Sequence, residues 1–239
     1  MGAHAGTIPI VTDNLDQLYD FNETDSISGA TVTSLITSSD EMTLVNSPTV
    51  SGGTCTLDGS NDAISLDSSS NLYSANSLAE CWELAFRIKS GTGEASIMHQ
   101  SNVWYYRRFF NRNSDGYFWM RATGAGGNTD EFESVTSQTI ENNEWYVMAC
   151  NFSRSSTSAK NSMNGFINGV QVGSMNSIGG KGVSGPWSIG TGGTPVIGAT
   201  ASDGSNSVNM EIAYFRKYGK NLSSSEILSN YNAMKGRLV

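Results

Sequence analysis

The residues whose types and spacing come nearest to catalytic chemistry lie in the stretch Asp130-Glu131-Phe132-Glu133. Residues two apart on a strand point to the same face, so Glu131 and Glu133 would lie side by side. Two carboxyl groups about 5–5.5 Å apart can serve as the acid and the nucleophile of a retaining glycosidase. The glycine-rich approach from Gly124 to Asn128 predicts a loop rim, however, and this favours a solvated strand edge over an active site.

Few residues of the chain could bind a metal ion or act as a catalytic nucleophile. The chain has two histidines, His4 near its start and an isolated His99. Neither a Ser-His-Asp triad nor a tetrahedral zinc site can be assembled from these and scattered cysteines. Cys55, Cys81 and Cys150 stand among strand-like apolar residues, and three thiols cannot all pair within one chain. We therefore predict buried free thiols, which suit synthesis in a reducing cytosol.

The most unusual stretch is the sequence VWYYRRFFNR at residues 103–112, where three basic residues stand next to five aromatic ones in an otherwise acidic protein. One interpretation is a strand buried in a sandwich, with its arginines reaching to the strand edge. The other is a contact surface, because Tyr, Trp and Arg are the residues enriched at binding hot spots. Both interpretations stay open. In the second one, the contact surface extends onto the following strand. The candidate partner- or glycan-binding residues are Trp104, Tyr105, Arg107, Arg108, Arg112, Trp119 and Arg121.

Charge and hydropathy exclude several functional classes. The 14 basic residues against 22 acidic ones give a net charge of −8, which repels a phosphate backbone, so we expect no nucleic-acid partner. The longest apolar run, Trp145–Cys150, is far shorter than the roughly 18–20 residues of a membrane span. We therefore expect no membrane insertion. Residues 1–10 have neither the basic nor the apolar region of a secretion signal.

The elements that position these side chains are strands. Trp82, Leu84, Phe86 and Ile88 alternate with polar or small residues, which is typical of a half-buried strand. Residues 117–121, 145–152 and 208–215 are apolar on nearly both faces, as expected for central strands of a sandwich. We predict an all-β fold, a two-sheet antiparallel jelly-roll sandwich, with residues 1–12 as an N-terminal arm and residues 13–239 as one domain.

Two local signals are clear. Asn168-Gly169 stands between β-prone pairs and supplies the two positive-φ residues of a type I′ hairpin turn. Ser223 with Glu226 three residues later predicts a capping box and one short C-terminal helix, with Gly236 as its C-cap. We expect the apolar stripe of this helix to seal one edge of the sandwich.

Six short motifs follow one another along the chain. They are Leu57–Ile64 (LDGSNDAI), Asn143–Ala149 (NEWYVMA), Phe166–Val170 (FINGV), Ile197–Gly198, Glu211–Tyr218 (EIAYFRKY) and Leu222–Ile227 (LSSSEI). In this order they resemble the laminin-G-like domains of the concanavalin A-like lectin/glucanase superfamily. The resemblance implies a concanavalin A-like jelly roll and says little about the ligand.

The resemblance also bears on chemistry. Members that hydrolyse glucans carry catalytic carboxylates spaced E-x-D-x-x-E on one strand, and the stretch around Glu131 and Glu133 lacks that set, so we expect no enzymatic activity. Other relatives hold a structural Ca²⁺ at the sandwich rim. We favour surface acids without metal over such a calcium site and expect no cofactor. The acids in comparable places are Asp20, Asp62, Asp203 and Glu211.

The N-terminal stretch Ile8–Leu15 (IPIVTDNL) resembles the lead-in to such domains in structural proteins of tailed bacteriophages. A phage protein is made in the host cytoplasm and becomes extracellular after lysis, which fits free thiols without an export signal. The resemblance implies a non-enzymatic virion component, in capsid decoration or a fibre, that docks with protein subunits as a homo-oligomer and binds surface glycans. The alternative is a carbohydrate-binding or adhesin module of a larger secreted protein.

Overall fold

The computed structural model describes residues 10–66, 79–91, 94–102, 106–123, 131–153, 162–176, 195–200 and 203–238. Among them the chain forms two antiparallel sheets and one short C-terminal helix, so the predicted fold class is confirmed. Of the predicted N-terminal arm, residues 1–9 lie outside the described residues.

The strands are numbered along the chain. They are β1 (Leu15–Asp20), β2 (Ile27–Ser28), β3 (Thr31–Thr33), β4 (Glu41–Val45), β5 (Thr49–Ser51), β6 (Thr54–Asp58), β7 (Ala63–Leu66), β8 (Ala79–Ile88), β9 (Ala95–Asn102), β10 (Tyr106–Arg112), β11 (Tyr117–Thr123), β12 (Glu131–Thr139), β13 (Trp145–Ser153), β14 (Ser162–Ile167), β15 (Val170–Asn176), β16 (Pro195–Ile197) and β17 (Asn209–Tyr218). Sheet A has the order β15-β14-β13-β8-β17-β6-β5, with β1 also paired to β17. Sheet B has the order β12-β11-β10-β9-β16-β7-β4-β3-β2.

The main core lies between the two sheets, and the alternating side chains of β8 form its centre. Trp82, Leu84 and Phe86 are fully buried, as their spacing predicts. Aromatic rings bridge the sheets, with the centroid of Phe110 on sheet B 6.1 Å from that of Phe152 on sheet A. Burying such large rings contributes most of the stability of a two-layer sandwich.

Helix α1 (Ser224–Met234) covers the outer face of sheet A. Met234 packs there with Ala85, Val147 and Tyr214, which belong to the three central strands. The expectation that the helix seals an edge is therefore wrong. Strands β13 and β17 are apolar on nearly both faces because one face lines the core and the other lies under α1. No described helix has the length and apolarity needed to cross a membrane.

The two local signals read from the sequence are confirmed. Asn168 and Gly169 have φ of 52° and 81°, and Ile167 pairs directly with Val170, as a type I′ turn requires. Ser223 and Glu226 form the reciprocal capping box. Gly236 is not the C-cap, however, because Lys235 takes that place and the chain continues into a 3-10 turn over Lys235–Arg237. That turn carries Arg237 to the carboxylate of Asp20.

The buried thiols are confirmed as well. Cys55, Cys81 and Cys150 are all fully buried and free. Burial, assisted by the charge of Asp62, raises the pKa of Cys55 to about 12.

Candidate open-face binding site

The outer face of sheet B brings together the strands that carry the aromatic and basic residues singled out in the sequence. The cross-strand register sets Arg121, Phe109 and His99 in one row over β11, β10 and β9. The neighbouring row pairs Trp119 with Asn111. Directly paired residues on antiparallel strands lie about 4.5–5.5 Å apart at Cβ, so Trp119 and Asn111 are side-chain neighbours. We call the outer-face positions of β10 to β12 the open face.

The predicted binding residues do not all belong to the open face. Trp104 and Tyr105 lie outside the described residues. Arg107 pairs with Thr123 on β11, and Arg121 lies two residues before Thr123 on the same strand. Arg107 and Arg121 therefore occupy strand positions on the same face. Arg108 occupies a position that alternates with Arg107, and alternation separates it from that set.

Arg112 does not belong to the open face. It is 5% exposed, donates to the carbonyl of Gly91 over 2.9 Å, and donates to Asn142 Oδ1 over 2.6 Å. Burial lowers the pKa of Arg112, while the nearby Glu141 acts in the opposite direction. These bonds join the loop after β8 to the loop after β12, so Arg112 stabilises the end of the sandwich.

The described side chains of the open face converge on Asn111. Its Nδ2 donates to Glu94 Oε1 over 3.0 Å, while Trp119 beside it is only partly buried. Asn111 is 5% exposed, and its Oδ1 has no hydrogen-bond partner among the described residues. A buried acceptor without a partner costs about 1–3 kcal/mol, so a ligand hydroxyl at this point would be favourable.

The middle of sheet B, over β7 and β16, is closed on its outer side. Ala63, Val196 and Ala199 form a small buried cluster there. His99 borders it, with Nδ1 2.5 Å from the carbonyl oxygen of Thr200. Because a carbonyl only accepts, Nδ1 carries the proton. On the β10–β12 side, by contrast, Trp119 is only partly buried.

The acids weighed as calcium ligands are engaged within the chain. Both oxygens of Asp20 accept from Arg237, and Glu211 pairs with Arg87 and Lys89. Asp203 accepts from Ser205, which lowers the pKa of that carboxyl group. Asp62 accepts from the backbone N–H of Asp58 and is 6% exposed, and this burial raises its pKa. Among the described residues, no group of three or more His, Cys, Asp or Glu side chains could hold a metal ion.

A laminin-G family model, described as the concanavalin A-like lectin/glucanases superfamily, matches residues 58–228, more than half of the chain. The chain belongs to this superfamily. The matched range contains both sheets' central strands and the start of α1, so the family resemblance read from the six motifs is confirmed. A search of curated protein sequences gives no match.

Solved structures share the superfamily fold at low sequence identity. Trypanosoma rangeli sialidase in complex with sialic acid gives a TM-score of 0.70 at 13% identity, covering 96% of this chain and 34% of that chain. The chain thus spans about a third of the length of the sialidase. Domain 4 of an extracellular arabinanase from Geobacillus stearothermophilus, in complex with arabinotriose, gives a TM-score of 0.63 at 16% identity. That match covers 91% of this chain and 98% of the domain. The superfamily member described here therefore has a lectin-like sandwich fold.

Asn111 and Glu94 are the described site residues that the sequence reasoning misses. Asn111 alternates in step with Arg107, and this parity places it on the same face, although it is not among the candidate residues. Arg112 joined the candidates through its nearness in sequence, although parity assigns it to the opposite set. Glu94 carries no sequence signal, because it follows a glycine-rich loop and meets Asn111 only through the pairing of β9 with β10.

Proposed function

We propose that this domain is a non-enzymatic glycan-binding module that takes its ligand on the open face. The observation that carries the proposal is the partly exposed Trp119 beside the buried Asn111, whose Oδ1 lacks a partner among the described residues. An indole ring offers a flat apolar surface for the C–H face of a sugar ring. Asn111 and Glu94 supply the amide and carboxylate groups that hydrogen-bond to hydroxyls.

The non-enzymatic part rests on the carboxylates. A glycosidase needs two carboxyl groups on opposite sides of the scissile bond. The described side chains of this cluster supply one, Glu94, which already accepts from Asn111. Glu131 and Glu133, the pair weighed from the sequence, lie in backbone register with Thr123 and Arg121 on β11. The third carboxylate of the glucanase pattern is absent from that stretch of the sequence.

The setting that we propose is the virion of a tailed phage, where the module decorates the capsid or forms part of a fibre. Support comes from the lead-in at Ile8–Leu15 and from the three buried thiols, which fit synthesis in a reducing cytoplasm. The alternative is a carbohydrate-binding module of a larger secreted protein. The arabinanase domain, solved with arabinotriose, supports glycan binding in either setting.

Replacing Trp119 tests the function. Calorimetric titration with arabinotriose and with oligosaccharides of bacterial surface polysaccharide is expected to show binding by the unaltered chain. Trp119→Ala should weaken it at least tenfold, because the stacking surface is lost. The matched control is Trp145→Ala, since Trp145 is also partly buried but lies on the outer face of sheet A beside Arg87.

Three results would contradict the proposal. They are the absence of binding to every oligosaccharide, equal loss of binding in both tryptophan variants, and release of reducing sugar during the titrations. Melting temperatures of both variants, measured beforehand, separate loss of the site from loss of the fold.

A further inference from the structure

A concave site lies apart from the open face, at the opposite edge of the sandwich, between β1 and the loop that joins β3 to β4. It is a cleft of about 500 Å³, within the range of about 300–1,000 Å³ typical of small-molecule sites. We call it the β1 cleft. Its lining residues are Leu15, Asp16, Gln17, Ile36, Thr37, Asp40 and Lys217.

The floor of the β1 cleft is polar and buried. Gln17 is fully buried, and its Nε2 donates to Asp40 Oδ2 over 2.9 Å. Gln17 Oε1 has no hydrogen-bond partner among the described residues. The side chain of Lys217 is 3% exposed and lies 3.1 Å from Asp16 Oδ2. The β1 cleft is therefore lined by a buried amide–carboxylate pair, Gln17 with Asp40, and by a buried ammonium group whose partner Asp16 has a side chain that is 44% exposed.

The rim of the β1 cleft is apolar and fixed in place. Ile36 is 49% exposed there, with Leu35 next to it at 43%. The Oγ of Ser34 accepts from the backbone N–H groups of Leu18 and Ile36, which ties the loop to β1. An exposed aliphatic rim above a polar floor presents one apolar and one hydrogen-bonding surface to a ligand.

The charges of the lining residues indicate which class of ligand the β1 cleft can bind. Asp16 and Asp40 against Lys217 leave one net negative charge, which disfavours an acidic ligand. Lys217 beside Asp16 likewise disfavours a metal cation, because two positive charges would share the same carboxylate. A ligand with several hydroxyl groups satisfies both requirements, since each hydroxyl donates one hydrogen bond and accepts others.

We propose that the β1 cleft binds a neutral saccharide residue, with Gln17, Asp40 and Lys217 hydrogen-bonding its hydroxyls and Ile36 packing against its ring. The inference rests on the proposed glycan-binding function and adds a second, independent subsite to it. Along sheet B, β3 and β11 are six inter-strand steps apart, which at about 4.8 Å a step is about 29 Å. The two subsites therefore bind separate residues of a long glycan or two separate chains.

The experiment follows two local reporters by NMR during one titration. They are the side-chain amide of Gln17 for the β1 cleft and the indole N–H of Trp119 for the open face. The probes are the methyl glycosides of glucose, galactose, mannose and arabinose at millimolar concentration. We expect the Gln17 amide to shift in the unaltered chain, and Asp40→Asn to weaken that titration at least tenfold while the Trp119 response stays the same.

The controls isolate the β1 cleft. Asp25→Asn removes an exposed acid elsewhere and should change neither titration. Ile36→Ala removes only a half-exposed side chain, so it tests the cleft even if Asp40→Asn destabilises the fold. It should weaken the Gln17 titration and leave the Trp119 titration intact.

The outcomes distinguish the two proposals. A Gln17 amide that responds to none of the glycosides, or only to calcium chloride or methylammonium, overturns the cleft inference whatever Trp119 does. The cleft inference is also overturned if both cleft variants titrate like the unaltered chain. A silent Trp119 indole with a responsive Gln17 amide instead contradicts the open-face function and supports the cleft.

Discussion

At the scale of single residues, the neighbours of a charged group decide how the fold responds to pH. Glu226 accepts from Lys220 and from the backbone N–H of Ser223, and these bonds lower its pKa from the ordinary 4.5 to about 2. A carboxyl group whose pKa is lower in the folded state stabilises the fold above its unfolded pKa. That contribution is lost as the pH falls from 4.5 towards 2.

Replacing Glu226 should therefore flatten the acid side of the stability profile. We expect the free energy of unfolding of the unaltered chain to fall more steeply than that of Glu226→Gln between pH 4.5 and about 2, as measured by urea unfolding at several pH values. Parallel profiles for Glu226→Gln and the unaltered chain would show that the capping box carries no charge-linked stability.

Replacing the N-cap residue tests the cap itself. Ser223→Ala should lower the free energy of unfolding by about 0.5–2 kcal/mol, because the helix loses its capping acceptor, while Ser224→Ala serves as the control.

The same scale shows how far a sequence can specify a binding site. Parity along β10 is enough to group Asn111 with Arg107 and to separate Arg112 from them. It says nothing about which loop approaches Arg112. The bonds to Gly91 and Asn142 depend on two loops from distant parts of the chain, so the structural role of Arg112 emerges only in the folded protein.

At the scale of elements, the contact of α1 with sheet A depends on a buried polar network. Glu83 accepts from Arg216 over 2.8 Å and from Tyr214 over 3.0 Å, and Asn230 on α1 donates to its other oxygen over 3.0 Å. Burial is the largest single influence on Arg216 and lowers its pKa, but Glu83 together with Tyr214, Tyr218 and Asp20 outweighs it and raises the pKa of the guanidinium group. Asn230 also accepts from the backbone N–H of Val11.

Removing the charge of Glu83 should destabilise the whole sandwich. Glu83→Gln leaves Arg216 buried at 1% exposure without its counter-charge, and breaking a buried pair costs about 3–5 kcal/mol. Chemical unfolding should show that loss with an unchanged denaturant slope, because the surface exposed on unfolding stays the same. Glu41→Gln, an exposed change on β4, is the control and should stay within about 0.5 kcal/mol. A Glu83 variant as stable as the control would mean that the network is dispensable.

Elements that depend on neighbours in sequence were predictable, and those that depend on distant partners were not. The Asn168-Gly169 turn and the capping box are complete within a few residues. The place of α1 on the face of sheet A is not, since it depends on Ala85 and Val147 from strands that start more than sixty residues apart. The apolar character of both faces of β13 was the available signal, and it indicated a covering layer without identifying it.

At the scale of the whole molecule, the two outer faces differ in what they are available for. On sheet A, α1 covers the centre, and Ile10 and Val11 pack beside it, with the hydroxyl group of Tyr218 donating to the carbonyl of Val11 over 3.2 Å. Ile10, the first described residue, therefore lies on the α1 side of the domain. The open face with Trp119 lies on sheet B, on the other side of the core. A subunit that docks beside Ile10 and Val11 would thus leave the open face free.

This arrangement predicts that assembly and glycan binding can be separated by two variants. A chain that begins at Ile10 keeps the contacts of Ile10 and Val11 with α1, so it should have the melting temperature and the oligosaccharide titration of the full chain. If residues 1–9 add a strand to a neighbouring subunit, the full chain should be oligomeric and the shortened chain monomeric by light scattering on a sizing column. Trp119→Ala should do the reverse, with the oligomer retained and glycan binding lost. Equal masses for the full and shortened chains would contradict assembly through the arm, and loss of glycan binding on shortening would contradict the separation of the two faces.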